Sequence, residues 1–278
     1  MIDLHTHSSV SDGSDPPARL AELAAAAGCG AVALTDHDRT DGVAAARARG
    51  RQVGVDVVSG CELSCQTGNG TMHLLAYFVE PGQEPLHTEL GRLQSSRDDR
   101  NRRMADRLAE IGLPVTLEEM EAESAGAGVG RPHVATVLVA KGVVGSVQEA
   151  FDRYLAKGRP GYVGKEGLAP ARAVAVVRAS GGVAVLAHPL TNGSDRAALD
   201  RLVAGLAADG LVGLESQYGR YAPAERAELA SLAARHGLVA TGGSDYHGTY
   251  KPDLAVGTGR GDLCVDDHVL VELAARRP

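Results

Sequence analysis

Short apolar runs rich in β-branched residues alternate with helix-like segments along most of this chain, and that alternation narrows the fold more than any other feature. The runs are Ile2–Leu4, Ala31–Leu34, Val55–Ser59, Met72–Phe78, Val183–Leu186, Leu211–Leu214 and Leu238–Thr241. Between most of them lie Pro17–Ala27, Thr40–Arg49, Ala169–Ala179, Arg196–Asp209 and Ala222–His236, whose Ala, Leu, Arg and Glu content favours helix. The start and stop signals agree: Pro17 stands in a first turn, and Gly28 and Gly237 each follow a last one. Strand, helix, strand in repetition predicts an α/β fold with parallel pairing and helices outside. About seven repeats favour a closed or nearly closed barrel over an open sheet.

The alternation stops between Pro81 and about Gly164. Leu86–Ile111 reads as one long polar helix, and Leu117–Glu123, His133–Lys141 and Val147–Ala156 as three shorter ones, with Ala125–Gly130 a flexible linker among them. The expected organisation is therefore a barrel made of residues 1–80 and 165–278, and a helical insertion, 81–164, capping its mouth. Arg97, Arg100, Arg102, Arg103 and Arg107 are interleaved with acids and read as a solvated face with internal ion pairs.

Composition excludes several classes. A chain of 278 residues with 44% hydrophobic and 23% charged residues is neither disordered nor short of a core. A net charge of −7 argues against a broad nucleic-acid coat, which needs a basic face. No apolar stretch is long enough to span a membrane, and the first residues lack a basic region followed by an apolar run, so a cytoplasmic protein is expected. Cys29, Cys61, Cys65 and Cys264 are too few for a disulfide scaffold and are expected to be reduced, mostly buried thiols. Ten His stand against no Trp and two Phe: many metal ligands, few surfaces on which bases could stack.

The His residues fall where a parallel α/β fold collects its chemistry, at strand ends. His5-Thr6-His7 closes the first strand, and residues i and i+2 share a face. Ser11-Asp12-Gly13 follows in the next loop. Thr35-Asp36-His37-Asp38, Gly60-Cys61-Glu62, His73, Ala187-His188-Pro189 and Gly243-Ser244-Asp245-Tyr246-His247 occupy or adjoin the later strands. A single buried His or carboxylate is usually a satisfied core polar group. Their joint occurrence points to divalent ions, which offset desolvation of such groups. His5, His7, Asp12, His37, Glu62, His73, His188, Asp245 and His247 are too many for one ion and suit two or three sharing a bridging carboxylate. Nitrogen and oxygen donors without thiolate favour zinc, manganese or iron(II). Glu62, central among imidazoles, is the candidate bridge. Asp36 and Asp38 flank His37 and are candidates to orient a ligand imidazole. His87, His236 and His268 match no motif and read as surface residues.

Together these motifs, spread over nearly the whole chain, resemble those of the polymerase and histidinol phosphatase (PHP) superfamily. The resemblance implies a distorted (β/α)7 barrel, a two- or three-metal centre in its mouth and phosphoester hydrolysis. It implies that His5, His7, Glu62 and Asp245 hold one side of the cluster, Glu62, His73 and His188 a second, and Asp12, His37 and His247 a third. Within the insertion, Gly130-Arg131-Pro132-His133-Val134-Ala135, Ala150-Phe151-Asp152-Arg153-Tyr154-Leu155 and Lys157-Gly158-Arg159-Pro160-Gly161-Tyr162-Val163 resemble one bacterial branch. That branch hydrolyses 3′,5′-nucleoside bisphosphates and removes nucleotides from the 5′ end of short RNA. Lys165-Glu166-Gly167-Leu168 departs from it, being shorter and less aromatic. Paired ions generate a hydroxide near neutral pH, and one bridging them beside Glu62 would attack phosphorus in line. Arg131 is a candidate phosphate fork, His133 a candidate to hold phosphate or protonate the leaving oxygen, and Lys157 a further phosphate contact. With few aromatics, the expected substrate is a short nucleotide gripped by its phosphates. The competing readings are a histidinol-phosphate phosphatase and a non-catalytic metal-binding regulatory barrel; the complete ligand set argues against the latter. Oligomeric state is left open.

Overall fold

Seven strands form one sheet in chain order: β1 (Ile2–Thr6), β2 (Ala31–Leu34), β3 (Asp56–Thr67), β4 (Gly70–Tyr77), β5 (Val183–Leu186), β6 (Gly213–Tyr218) and β7 (Val239–Gly243). The computed structural model describes residues 1–67, 70–124, 128–164, 166–192 and 195–278; residues 125–127 of the expected linker and Lys165 lie outside this set. The chain beyond β7 returns to β1. Asp245 N–H donates to the His5 carbonyl at 2.8 Å and His7 N–H to the Tyr246 carbonyl at 2.9 Å, which nearly closes the sheet into a barrel. Gly243 permits that approach, because a Cβ there would lie 2.4 Å from the backbone nitrogen of His5.

Alternation along the strands sorts residues between the two faces. Ala31, Ala33, Leu75, Tyr77, Val183 and Val185 share the interior cluster, whereas Val32 and Leu34 pack with α1 (Pro17–Ala26) and α2 (Val43–Val53). Leu74, Ala76, Ala184 and Leu186 pack with α7 (Pro170–Ala179), α8 (Arg196–Asp209) and α9 (Pro223–Arg235). Each such buried Leu or Val contributes about 1.5–3 kcal/mol of transfer free energy. The final helix α10 (His268–Ala275) adds Val269 and Leu273 to the interior cluster. No helix among the described residues is long and apolar enough to cross a membrane. Cys29, Cys61 and Cys65 are buried free thiols and Cys264 is exposed, as composition predicts.

One strand reverses the expected direction. β4 is antiparallel to both β3 and β5, pairing Ser64 with His73 and Leu75 with Val185. β3 runs on to Thr67, well past the predicted Ser59, and only residues 68 and 69 separate it from β4. So short a connection can only fold the chain back on itself, since a parallel return needs a crossover of a dozen residues or more.

The insertion is α3 (Leu86–Glu110), α4 (Leu117–Glu123), α5 (Arg131–Ala140) and α6 (Val147–Ala150), followed by a π-helix over Phe151–Leu155. It has its own apolar cluster, including Met104, Leu108, Met120, Val134, Leu138 and Leu155. α4 carries a capping box: Glu119 N–H donates to Thr116 Oγ1 at 3.2 Å, and Thr116 N–H donates to Glu119 Oε2 at 2.9 Å. The predicted single helix Val147–Ala156 changes pitch at Phe151, where Ala156 N–H donates to the Phe151 carbonyl at 3.0 Å. The arginine run also departs from expectation. Arg102, Arg103 and Arg107 are exposed, but Arg97 and Arg100 are only 6% and 3% exposed. They lie on the inward stripe Leu86, Leu90, Leu93, Arg97, Arg100, Met104 and Leu108, spaced three and four apart.

Candidate metal centre

β1 ends by aiming two imidazoles at one point: Nε2 of His5 and Nε2 of His7 are 3.1 Å apart, and both rings are fully buried. Glu62 comes from the middle of β3. Its Oε1 is 2.9 Å from His73 Nδ1 and 2.8 Å from His188 Nε2. Its Oε2 is 3.1 Å from His37 Nδ1, 3.2 Å from His7 Nε2 and 3.4 Å from His5 Nε2. Asp245, beyond β7, puts Oδ1 3.5 Å from His5 Nε2, 3.4 Å from His7 Nε2 and 3.4 Å from His247 Nδ1. Asp12 reaches His7, His247 and His37 from the loop after β1, at 3.6, 3.4 and 3.8 Å. The fold thus gathers all nine sequence-derived ligand candidates into one cluster. Four overlapping groups have donor atoms within 4.8 Å of one another: His7, Asp12, His37 and His247; His5, His7 and Asp245; His5, Glu62 and His188; and His37, Glu62 and His73. His7 therefore also joins the Asp12 group, and His37 also faces Glu62 and His73.

Strained backbone presents two of these residues. His188 has φ 24° and Asp245 φ 56°, conformations that cost a side-chain-bearing residue about 1–3 kcal/mol. They are held by hydrogen bonds: His188 N–H donates to Glu215 Oε2 at 2.7 Å, and Asp245 N–H to the His5 carbonyl.

Glu215 was not found from the sequence. It is fully buried in β6, and its Oε1 is 2.8 Å from His5 Nδ1. That contact keeps a proton on His5 Nδ1 and aims Nε2 at the cluster. The available signal was a glutamate directly after the apolar run Leu211–Leu214. Tyr218 and Lys251 were also missed; the Tyr218 hydroxyl donates to Asp245 Oδ2 at 2.7 Å, and Lys251 Nζ donates to the same oxygen. Asp36 braces the loop after β1, and Asp38 ties β3 to α3. Asp36 accepts from Ser8 and Ser11, and Asp38 from Ser64 and Arg97. His87 and His268 are exposed and His236 is half-buried against Asp200, as expected of residues outside the motifs.

The electrostatics suit cations. Burial opposes ionisation of Glu62, but the neighbouring His37, His73 and His5 hold it well below the usual carboxylate range. Burial likewise opposes ionisation of Asp12 and Asp245, which their surrounding His residues, and Lys251 for Asp245, hold low. Burial disfavours a charged His7, yet its hydrogen bonds to Asp245 and Glu62 push it to about 9. Burial keeps His37 well below its ordinary value. The Nδ1 atoms of His7 and His37 have no hydrogen-bond partner although both are buried, and the 3.1 Å approach of His37 Nδ1 to Glu62 is not aligned for one. Buried nitrogen and oxygen donors converging on one place, two of the nitrogens without hydrogen-bond partners, fit divalent ions.

A cavity of about 480 Å³ adjoins the cluster, with Asp12, His37, His73 and His247 on one wall and residues of the insertion on the other. That volume suits a small molecule. Arg131 lines it, beside Arg97, Arg100, Phe151 and Tyr162. Two predicted contacts do not reach its wall. His133 is buried under Tyr250, with Nδ1 accepting the Gly130 N–H at 2.9 Å. Lys157 is exposed and does not line the cavity, although Ala156 before it and Tyr162 and Val163 after it do.

The PHP domain model matches residues 3–158. This chain belongs to the PHP domain family. It is accordingly a hydrolase of phosphate esters. A 3′,5′-nucleoside bisphosphate phosphatase from Chromobacterium violaceum is 34% identical, covering 88% of this chain and 87% of that protein. The 5′-3′ exoribonuclease Rnm of Escherichia coli is also 34% identical, over 89% and 85%. A structure from Bifidobacterium adolescentis, described as a metal-dependent phosphoesterase, superposes with a TM-score of 0.90 at 32% identity, covering 100% of this chain and 96% of that one.

Proposed function

We propose that this PHP protein removes phosphate from nucleoside 3′,5′-bisphosphates, or nucleotides from the 5′ end of short RNA, at a centre of two or three manganese, zinc or iron ions capped by residues 81–164. The observation that carries the reading is Glu62, whose two oxygens face different imidazoles, His73 and His188 on one side and His5, His7 and His37 on the other. A carboxylate so placed could hold two ions at once. His5, His7, Glu62 and Asp245 would hold one ion, Glu62, His73 and His188 a second, and Asp12, His37 and His247, with His7, a third. Such ions, when bound, neutralise phosphoryl oxygens and supply a water-derived nucleophile near neutral pH.

The protein's own groups do the positioning. Glu215 locks His5, and Tyr218 and Lys251 hold Asp245, so the donors need no rearrangement. Arg131 offers a planar fork to a phosphate. Its guanidinium is fixed between the Phe151 and Tyr162 rings, 5.8 and 5.6 Å from their centroids. His133 supports this wall by fixing the start of α5 through Gly130. The names of the two relatives support the nucleotide substrate. Metal analysis should be combined with assays on adenosine 3′,5′-bisphosphate, 5′-phosphorylated short RNA and histidinol phosphate. Hydrolysis of either nucleotide substrate, and not of histidinol phosphate, is expected. Preference for histidinol phosphate would overturn the substrate, and inactivity with every ion would favour a non-catalytic barrel.

A further inference from the structure

Asp12 is the carboxylate of the cluster that the barrel itself secures least. Glu62 lies within β3, and Asp245 has Tyr218 and Lys251 on one oxygen. Asp12 stands on the loop after β1. Outside the cluster its carboxylate has one long hydrogen bond among the described residues, from Ser11 Oγ at 3.4 Å. What packs against it is the insertion. A Cβ on Gly130 would lie 2.9 Å from Asp12 Cβ, inside the separation at which two carbons attract, and 3.5 Å from Asp12 Oδ2. Asp12 Cβ is bonded directly to the backbone, so it cannot swing aside as the end of a long side chain can. With φ −105° and ψ 169°, Gly130 has an extended backbone open to any residue. Space against Asp12, not conformation, calls for glycine there.

Several contacts hold this stretch in place. His133 Nδ1 accepts the Gly130 N–H at 2.9 Å, the Gly128 N–H donates to the Val10 carbonyl at 3.2 Å, and Asn101 Nδ2 of α3 donates to the Val129 carbonyl at 3.2 Å. The His133 ring meets Tyr250 edge to face, 5.3 Å between centroids at 77°, and the Tyr250 hydroxyl donates to Glu123 Oε1 of α4 at 3.2 Å. Tyr250 closes the short 3-10 helix that directly follows His247. The insertion therefore touches the segments that present both Asp12 and His247. Those two belong to one ligand group, with His7 and His37.

We propose that His133 is a positioning residue for Asp12: it fixes Gly130, Gly130 sets Asp12, and the docked insertion thereby completes the ligand group of His7, Asp12, His37 and His247. This rests on the ion binding proposed above and goes beyond it, because the cap then takes part in loading one ion as well as in enclosing the substrate. Such coupling is reciprocal: an ion held by Asp12 and His247 tightens the insertion on the barrel by the same factor by which the docked insertion tightens the ion.

The test uses the full chain, stripped of metal with EDTA and titrated with manganese, bound ions being counted by equilibrium dialysis and elemental analysis. Asp12→Ala identifies the ion concerned as the one whose binding it weakens. His133→Leu fills the place of the ring but leaves the Gly130 N–H without its acceptor. It should weaken that same ion about 10- to 100-fold and leave the others unchanged. Gly130→Ala, which displaces Asp12 directly, should do likewise and serves should the Leu variant fail to fold. His133→Gln restores an acceptor oxygen at the third helical position and should recover most of the loss. Added to Asp12→Ala, His133→Leu should cost no further ion affinity. Hydrogen–deuterium exchange over residues 128–140 should slow on manganese binding in wild type and not in Asp12→Ala. If Asp12→Ala weakens an ion while His133→Leu and Gly130→Ala weaken none, or weaken all ions equally, the positioning role is overturned and the metal centre stands. An Asp12→Ala variant that binds every ion as wild type does would overturn it as well. A wild-type protein that binds no ion would remove the proposed function, and the positioning role with it.

Discussion

At the scale of single residues, Glu215 decides how well the centre is organised, although it donates no atom to it. One oxygen accepts from His5 Nδ1 and the other from the His188 backbone N–H, so a single buried carboxylate fixes one imidazole and supports a positive-φ residue. Glu215→Gln keeps the shape but has only one acceptor oxygen; its NH2 must face either His5 Nδ1–H or His188 N–H, two donors in opposition. We expect metal affinity to fall about 10- to 100-fold with the fold retained, measured by competition with a chromophoric chelator and by circular dichroism. Unchanged affinity would show that packing alone holds His5. The sequence marks this residue only weakly, because one acid after an apolar run is compatible with many roles. The nine ligand candidates were legible because several motifs recur at strand ends, and their convergence is a property of the barrel rather than of any one motif.

At the scale of elements, the insertion is fastened to the barrel through Asp38. Its side chain takes the Ser64 N–H and hydroxyl and the Arg97 guanidinium, and its carbonyl accepts from Gln94 Nε2 at 2.8 Å. Asp38→Asn leaves Arg97 buried beside an uncharged amide. Breaking a buried pair in this way costs about 3–5 kcal/mol, so a fall in melting temperature of roughly 10 °C is expected in a calorimetric scan. A fall of a degree or less would mean that the Asp38–Arg97 pair is solvated in solution. The same contact shows where sequence reading stopped. Arg97 and Arg100 sit in a run of alternating charges that looks solvated when read linearly, yet they continue the spacing of Leu86, Leu90 and Leu93, which marks the buried face. Periodicity carried the burial signal and composition masked it. The direction of β4 was hidden differently. Met72–Phe78 is recognisable as a strand, but its reversal depends on β3 extending to Thr67, and β3's last residues alternate too weakly to announce that length. The change of pitch at Phe151 likewise has no local marker, since the run Val147–Ala156 is ordinary helix-forming sequence.

At the scale of the whole molecule, the centre couples metal, protons and stability. In the metal-free protein His5 is held well above its ordinary value of 6.5 and His7 rises to about 9, because Glu215, Glu62 and Asp245 compensate the buried imidazolium. A raised folded-state pKa contributes stability that is fully present below about 6.5 and lost as pH rises through about 9. His37 and His247 are shifted the other way, chiefly by burial, and contribute stability present above 6.5 and lost as pH falls. The metal-free protein should therefore be most stable near the ordinary histidine pKa. Divalent ions take only neutral imidazoles, so with the ligand set proposed above binding expels the protons of His5 and His7. The melting-temperature gain from manganese over EDTA should grow steadily from pH 6.5 to 9, as those protons become easier to remove while the metal-free form weakens. Titration calorimetry at pH 7.5 in two buffers of different ionisation enthalpy should register net proton release on binding. Proton uptake, or a gain independent of pH, would mean that His5 and His7 are already neutral before the ion arrives. The carboxylates would then be compensated by something other than their imidazole neighbours.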